Sequence, residues 1–316
     1  MSRRYRLEQK YLQQLRAEAE EEEDKVRQNQ HSSTAPVLWA TLNTGFSIHD
    51  VVDADHQDIL EMLQEHYIPH DVLCRNTELI DDPVSLKSML DHILYTLKDT
   101  TSIKIVKNEE NGSETLVGVL LLRVSRKADF DRVFSRTILQ DGDARKKCIA
   151  IQTALSRKLN IYETYNCESF LRYYILCIKK EFRNNGLGYQ LMRVGLDVAR
   201  SLNIHVASGI FSSFNLQRNA KKLGFKLIQE VSYTSWRDKS NNELIFSDPG
   251  SGNYTCAFMI CDIPAETILD PQVVHRLSPY EKRVVPQPRT RAEKRAHLYK
   301  HIPKTRNIRF CGSPPD

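Results

Sequence analysis

The chain has 316 residues, 41% of them hydrophobic and 27% charged, which is typical of a water-soluble protein with one large domain and terminal extensions. Its most apolar stretch, residues 116–122, has the length of a strand and is too short to span a bilayer. The N-terminus has no apolar signal-peptide core and soon becomes acidic. These features exclude the secreted and membrane classes and predict a cytoplasmic protein.

The formal net charge of +5 is concentrated near the C-terminus. Residues 273–310 contain eleven Lys or Arg and two Glu, a local charge of +9 that leaves −4 for the rest of the chain. We therefore divide the chain into a charged helical extension with a linker at 1–37, a domain at 38–268 and a basic, proline-containing extension at 269–316. The last segment suits a nucleic acid or an anionic surface, although an extension without a dedicated partner is the simpler interpretation.

The predicted elements begin with a solvated helix in the N-terminal extension, where Leu7, Tyr11, Leu12 and Leu15 have helical spacing. This stripe is short, and a coiled coil stays an open alternative. The domain begins near Leu38. Its first half consists, in chain order, of a strand at 46–51, a helix capped by Asp53, a loop at 67–73, a helix that starts at Pro83, and strands at 102–107 and 116–124 around the turn Asn111-Gly112.

The second half of the domain alternates strands with helices. Its elements are a helix at 144–159, a strand at 173–178, a helix at 191–202, a strand at 204–208, a helix at 216–223, and strands at 226–235 and 254–261. The last two strands are expected to pair antiparallel. The order of the elements predicts an α/β (α+β) fold in which a mixed sheet is flanked by helices.

The most informative segment lies between the strand at 173–178 and the helix that follows it. It consists of Arg183, Asn184, Asn185, Gly186, Leu187 and Gly188. Glycines allow the backbone to approach a ligand closely, and the free N–H groups and dipole of a helix N-terminus favour an anion. Arg183 adds a charged donor suited to phosphate. The segment therefore predicts a pyrophosphate site, with an ordinary helix-start turn and a solvated arginine as the alternative.

The flanks of this segment make it resemble the central motif of the GCN5-related N-acetyltransferases, in which a strand ends in an apolar residue, here Ile178, five positions before the arginine. The resemblance covers roughly residues 46–261 and implies a mostly antiparallel central sheet. It also implies that acetyl-CoA binds with its pyrophosphate at the helix start and its pantetheine arm along the strand edge. The residues implied for the cofactor are Leu176, Cys177, Ile178, Arg183, Asn184, Asn185, Gly186, Leu187, Gly188, Tyr189 and Asn215.

Residues 69–73 resemble the loop of the insect arylalkylamine N-acetyltransferases that carries the general base. By this resemblance Asp71 is the base, although it replaces a glutamate and Val72 replaces a proline. The alternative role of Asp71 is that of a loop carboxylate that caps a turn. His70 is the rival, because an unperturbed imidazole titrates near neutral pH. His205 is a more distant candidate.

The resemblance also bears on the acid that protonates the departing thiolate. Many acetyltransferases place a tyrosine four residues before the glycine that matches Gly224, and this chain has Ala220 there. The insect branch uses serines at the start of the same helix, and Ser213 matches the first of them. Ser213 is therefore the predicted acid, and a simple helix N-cap is the alternative role.

Together these features predict acetyl-CoA-dependent N-acetylation of a small primary amine of the arylalkylamine type, by direct transfer in a ternary complex. The alternative is a catalytically weak acyl-CoA-binding module or scaffold whose basic extension binds nucleic acid or an anionic surface. No metal is expected, because none of the seven cysteines forms a C-x-x-C pair. Reduced thiols are predicted, and Cys177 is more readily explained as a small buried hydrophobe than as a catalytic group.

Overall fold

The computed structural model describes residues 36–42, 44–109, 112–129, 140–238 and 241–264. The predicted N-terminal helix, the basic C-terminal extension and Cys311 lie outside these residues, so what the sequence predicts for them stays a prediction. Across the described residues, no helix has the length and apolar character needed to cross a bilayer.

The domain is built on a sheet of eight strands in the order β1-β2-β3-β4-β5-β6-β8-β7. Strands β5 and β6 run parallel, and the other neighbouring pairs run antiparallel. The strands are β1 Leu38–Leu42, β2 Phe46–Asp50, β3 Ile103–Asn108, β4 Glu114–Arg126, β5 Ser169–Ile178, β6 Val206–Phe211, β7 Lys226–Ser232 and β8 Thr255–Asp262. The mixed, mostly antiparallel sheet is the predicted one.

Helices cover both faces of this sheet. Helix α6 packs against β3, β4 and β5, whereas α1 packs against β5 and α3 against β4. The helices are α1 His56–His66, α2 Val72–Asn76, α3 Pro83–Leu97, α4 Asp143–Ser156, α5 Ile161–Thr164, α6 Leu187–Ser201 and α7 Phe214–Lys222. Residues 117–122 of β4 are all buried, because helices cover this central strand on both sides.

Most predicted elements are confirmed, and α3 starts as its sequence indicates. Pro83 occupies its first turn, and the Asp82 carboxylate accepts hydrogen bonds from the N–H groups of Val84 and Ser85. On the opposite face, α6 lies close to the sheet because Gly195 has no side chain. A Cβ atom there would stand 2.6 Å from the Tyr173 hydroxyl.

Three predictions of local structure were wrong. Strand β1 was not predicted; it pairs with β2, and its neighbour Val37 donates its N–H to the Asp50 carboxylate. Asp53 does not cap α1, which begins at His56 after a 3₁₀ turn. The predicted loop at 67–73 ends earlier, because Asp71 caps a short helix, α2, that starts at Val72.

Candidate active site

The central feature of the site is a cleft where β5 and β6 separate. The two strands pair only through Leu171–Ala207, Arg172–Ser208 and Tyr173–Gly209 in the described residues. Beyond this point β6 continues along β8, and β5 continues along β4 to Ile178. The two parallel strands therefore leave an open edge between them.

A β-bulge marks the point of separation. Along β4, the consecutive residues Leu121 and Leu122 face Ile175 and Tyr173, so Tyr174 is the extra residue on β5. Bulges bend a strand and increase its twist. The bulge at Tyr174 therefore gives a local reason for the divergence of β5 from β6.

The hydrogen-bond pattern identifies which backbone groups of β5 face the cleft. Lys179 donates its N–H to the carbonyl of Val117 on β4. In an antiparallel pair, the backbone N–H and C=O groups of successive residues point alternately toward the partner strand and away from it. Those of Cys177 therefore point to β4, like the N–H of Lys179, whereas those of Leu176 and Ile178 point to the open edge. The structure thus separates the predicted contacts: Leu176 presents its N–H and carbonyl to the cleft, and Ile178 presents its N–H, since its carbonyl accepts a hydrogen bond from Arg183. Cys177 presents neither group to the cleft.

The thiol of Cys177 is also unsuited to chemistry in the cleft. It is buried in the core, and burial raises the pKa of its thiol to about 12. A thiol in this state is protonated at neutral pH and a poor nucleophile. The geometry favours the interpretation of Cys177 as a core residue.

The loop after β5 presents a row of backbone donors. Asn184 and Gly186 have φ angles of 67° and 75°, and α6 begins at Leu187 without a side-chain cap. Among the described residues, no acceptor receives the N–H groups of residues 184–189. Left-handed residues followed by a helix start form a concave set of N–H donors that suits an anion.

Arg183 uses part of its guanidinium within the chain, and its predicted contact with a phosphate stays a prediction. Its Nε donates to the carbonyl of Ile178 at 2.9 Å, and one Nη donates to the carbonyl of His66 at 2.7 Å. These bonds fasten the loop to the end of β5 and to α1. The guanidinium therefore positions the backbone donors and adds positive charge, but two of its donor groups are already occupied.

The two glycines of the loop also differ. A Cβ at Gly186 would meet no atom within 4 Å, so this residue faces open space and is required for its positive φ. A Cβ at Gly188 would stand 3.3 Å from the Leu176 side chain. Gly188 therefore allows α6 to approach β5, and a side chain there would point at the strand and not at a ligand. This corrects the prediction that both glycines clear space for the ligand.

Asp71 lies where the C-terminal end of β6 meets α2. Its Oδ1 accepts the N–H groups of Leu73 at 3.0 Å and Cys74 at 3.2 Å, which caps α2. Its Oδ2 accepts the hydroxyl of Ser212, just after β6, at 2.6 Å. The predicted base is thus held rigidly, and its second oxygen takes part in a short hydrogen bond across the fold.

The serine next to Asp71 is Ser212 and not the predicted acid, Ser213. The Ser213 hydroxyl accepts the N–H of Leu216 at 3.5 Å and caps α7, which was the alternative role. Ser212 is buried, and its carbonyl accepts the hydroxyl of Tyr233 at 2.5 Å. Sequence reasoning missed Ser212 because two adjacent serines have the same chemistry, and only the packing decides which one points to Asp71.

The other predicted residues lie at the rim. His70 is exposed, and partial burial together with the positive charges of Arg183 and Lys180 lowers its pKa. The imidazole is therefore neutral at pH 7 and sits beside the cations of the loop. Asn215 is exposed in the first turn of α7, and Tyr189 lies in the first turn of α6. Their contacts with a cofactor stay predictions.

No protein-family model matches the sequence, and no curated protein sequence matches it. The structure is similar to arylalkylamine N-acetyltransferase 2 from Aedes aegypti (TM-score 0.62, 21% identity), a match that covers 69% of this chain and 99% of the mosquito protein. It is also similar to a putative arylalkylamine N-acetyltransferase 7 from the same mosquito (TM-score 0.60, 17% identity; 74% and 98% covered). A third similar structure is the Drosophila melanogaster polyamine N-acetyltransferase that forms N-acetylagmatine (TM-score 0.58, 16% identity; 69% and 100% covered).

These similarities show that the chain has the fold of the GCN5-related N-acetyltransferases and resembles its insect arylalkylamine branch, as the sequence predicted. Identities of this size establish the fold and leave the substrate open. Within the part of the chain that the structure describes, His, Cys, Asp and Glu side chains form no group suited to a metal ion.

Proposed function

We propose that the chain is an acetyl-CoA-dependent N-acetyltransferase that acts on a small primary amine. One observation carries the proposal: the cleft between β5 and β6 has, at one end, a row of N–H donors without an acceptor among the described residues, and the Asp71–Ser212 pair lies beside its other strand. A transferase that joins a long phosphorylated thioester to an amine requires an anion site, an extended channel and a base.

The residues of the chain fit the parts of coenzyme A. The N–H groups of residues 184–189 and the dipole of α6 suit its diphosphate, and the open edge at Leu176 and Ile178 suits its amide-containing arm, in the manner of an added strand. Acetyl-CoA would supply the acetyl group as an activated thioester. No metal is needed for this chemistry in our proposal.

Asp71 is the proposed general base. An alkylamine is mostly protonated at pH 7, and it becomes a nucleophile only after it loses a proton. The Asp71 carboxylate takes this proton through water, while Ser212 and the helix N–H groups fix its orientation. Position 220, where many acetyltransferases have a tyrosine acid, is a fully buried alanine here. Alanine has no hydroxyl, so this acid has no counterpart in the chain at this position. We therefore propose direct transfer in a ternary complex, with the thiolate protonated by solvent.

The substrate class is proposed from the similar structures. Two of them are named as arylalkylamine N-acetyltransferases, and the third forms N-acetylagmatine. Arylalkylamines such as tryptamine and dopamine are our first choice, and agmatine and polyamines are the second.

The cofactor part of the proposal is tested by calorimetric titration of acetyl-CoA into the wild type and two variants. Gly186→Asp places a carboxylate among the anion-binding N–H groups, and saturable binding should be lost. Gly186→Asn is the matched control, because asparagine tolerates a left-handed φ without adding charge. It should keep binding within about tenfold. Equal binding by the aspartate variant would refute the site.

The catalytic part is tested by thiol release from acetyl-CoA with tryptamine, dopamine, agmatine and spermine. Turnover with at least one amine, lost in Asp71→Asn, is expected. Tight acetyl-CoA binding without turnover of any amine would instead support the alternative, an acyl-CoA-binding module.

A further inference from the structure

Two arginines lie side by side in the sheet, on the face that α3 covers. Arg123 on β4 and Arg172 on β5 are direct partners in the antiparallel register. The Cβ atoms of such partners are about 5 Å apart, and like charges in this arrangement destabilise a sheet. A pair of this kind therefore requires a compensating interaction.

Part of the compensation comes from aromatic rings. The guanidinium carbon of Arg123 is 3.8 Å from the ring centre of Tyr95 on α3, and that of Arg172 is 4.7 Å from the ring centre of Tyr174. Arg123 also donates a hydrogen bond to the Tyr95 hydroxyl. Stacking attracts the cation and holds the planar group in place, while its N–H edge can still bind a ligand.

Among the described residues, neither guanidinium forms a close ion pair with a carboxylate. Asp99 interacts with Arg123 at longer range. Burial raises the pKa of the Asp99 carboxyl, and the charge of Arg123 opposes this shift. One oxygen of Asp99 accepts the N–H of Val124 at 2.9 Å and the hydroxyl of Thr101 at 3.2 Å. Within the described part of the chain, both prearranged guanidiniums therefore lack a direct carboxylate partner and can bind an external anion.

The arginine pair and Asp71 lie over the same face of the sheet. Val119 and Leu121 of β4 pack in one core with residues of α1, α2 and α3, and Arg123 continues their alternation along the strand. Tyr174, which supports Arg172, is the bulged residue at the opening of the cleft.

The strand geometry also gives a distance. Arg172 is the register partner of Ser208 on β6, and Ser212, which binds Asp71, follows four residues later. At about 3.3 Å per residue, roughly 13 Å of strand separates the two sites.

We infer that Arg123 and Arg172 form a binding site for an anionic group, a carboxylate or a phosphate. The extension of this inference to the substrate rests on the proposed function and narrows its substrate class: the preferred amine carries an acidic group roughly 13 Å from its nitrogen, a group that tryptamine, dopamine and agmatine lack. Planar guanidiniums bind carboxylates and phosphates through paired hydrogen bonds, which fits both sources of the anion.

The test uses ω-amino acids of increasing length, each compared with its carboxamide, at saturating acetyl-CoA. At the best length, kcat/KM should favour the acid by about tenfold or more. Arg172→Gln should abolish this preference and leave the kcat/KM of the carboxamide within about twofold. Arg157→Gln is the control, because it removes the same charge from an exposed position at the C-cap of α4. No preference at any length, or a preference that survives in both Arg172→Gln and Arg123→Gln, would overturn the inference.

A binding measurement separates this inference from the proposed function. Calorimetric titration with 3-phenylpropionate should show saturable binding that Arg172→Gln weakens about tenfold and Arg157→Gln does not. If the probe binds in this way while no amine is acetylated, the anion site stands and the proposed function fails. Equal binding by the wild type and Arg172→Gln would overturn the anion site. Inorganic phosphate in the same titration distinguishes the two sources of the anion.

Discussion

The clearest test of the site compares two adjacent serines, because sequence and structure assign them opposite importance. Ser212 donates a 2.6 Å hydrogen bond to the Asp71 carboxylate, and Ser213 makes a 3.5 Å capping bond to Leu216. A hydrogen bond to a charged group contributes about 1.5–3 kcal/mol, and its loss leaves one carboxylate oxygen unpaired. An N-cap contributes about 0.5–2 kcal/mol, and the long bond at Ser213 places it near the lower end.

Ser212→Ala should therefore lower the free energy of unfolding by about 1.5–3 kcal/mol and lower kcat about tenfold or more, because the base loses its fixed orientation. Ser213→Ala should cost about 0.5–1 kcal/mol and keep kcat within about threefold. Urea denaturation and steady-state kinetics with the best amine measure both effects. A large loss of kcat in Ser213→Ala, with Ser212→Ala near wild type, would refute this reasoning and restore Ser213 as the acid.

Three further predictions concern single groups. Asp71→Asn should lower kcat by about 10²–10⁴ and should destabilise the fold by no more than Ser212→Ala does, because asparagine still caps α2 but loses the charge-assisted bond from Ser212. A loss of kcat below about tenfold in steady-state kinetics would remove Asp71 as the base. Cys177, whose thiol has a pKa of about 12, should react with iodoacetamide much more slowly than a free thiol at pH 7, and rapid labelling in mass spectrometry would contradict its burial. Burial lowers the pKa of His49 and His56 below 6.5, so the unfolded chain binds more protons and the free energy of unfolding should fall as the pH drops below 6.5. Urea denaturation at about pH 7.5 and pH 5.5 should show a smaller fall in the free energy of unfolding for the double variant with Gln at both positions than for the wild type. An unchanged fall would argue against this role.

The sequence by itself determined the order of most elements and the location of the loop. The apolar run before Ile178 and the glycine at 186 are local features, and local conformation follows directly from them. Strand β1 was missed because its five residues have a mixed pattern of burial that depends on its pairing with β2. Helix α2 was missed because five residues carry too little periodicity to indicate a helix.

The contacts between distant segments were decided only by the tertiary structure. Asp71 and Ser212 are separated by 141 positions, and Arg183 and His66 by 117. Arg123 and Arg172 become neighbours only through the register of β4 and β5. No local pattern encodes such pairs, because strand register and helix packing arise from burial summed over the whole sheet. The residue types therefore indicated which chemistry is available, and the packing of the sheet selected the side chains that can carry it out.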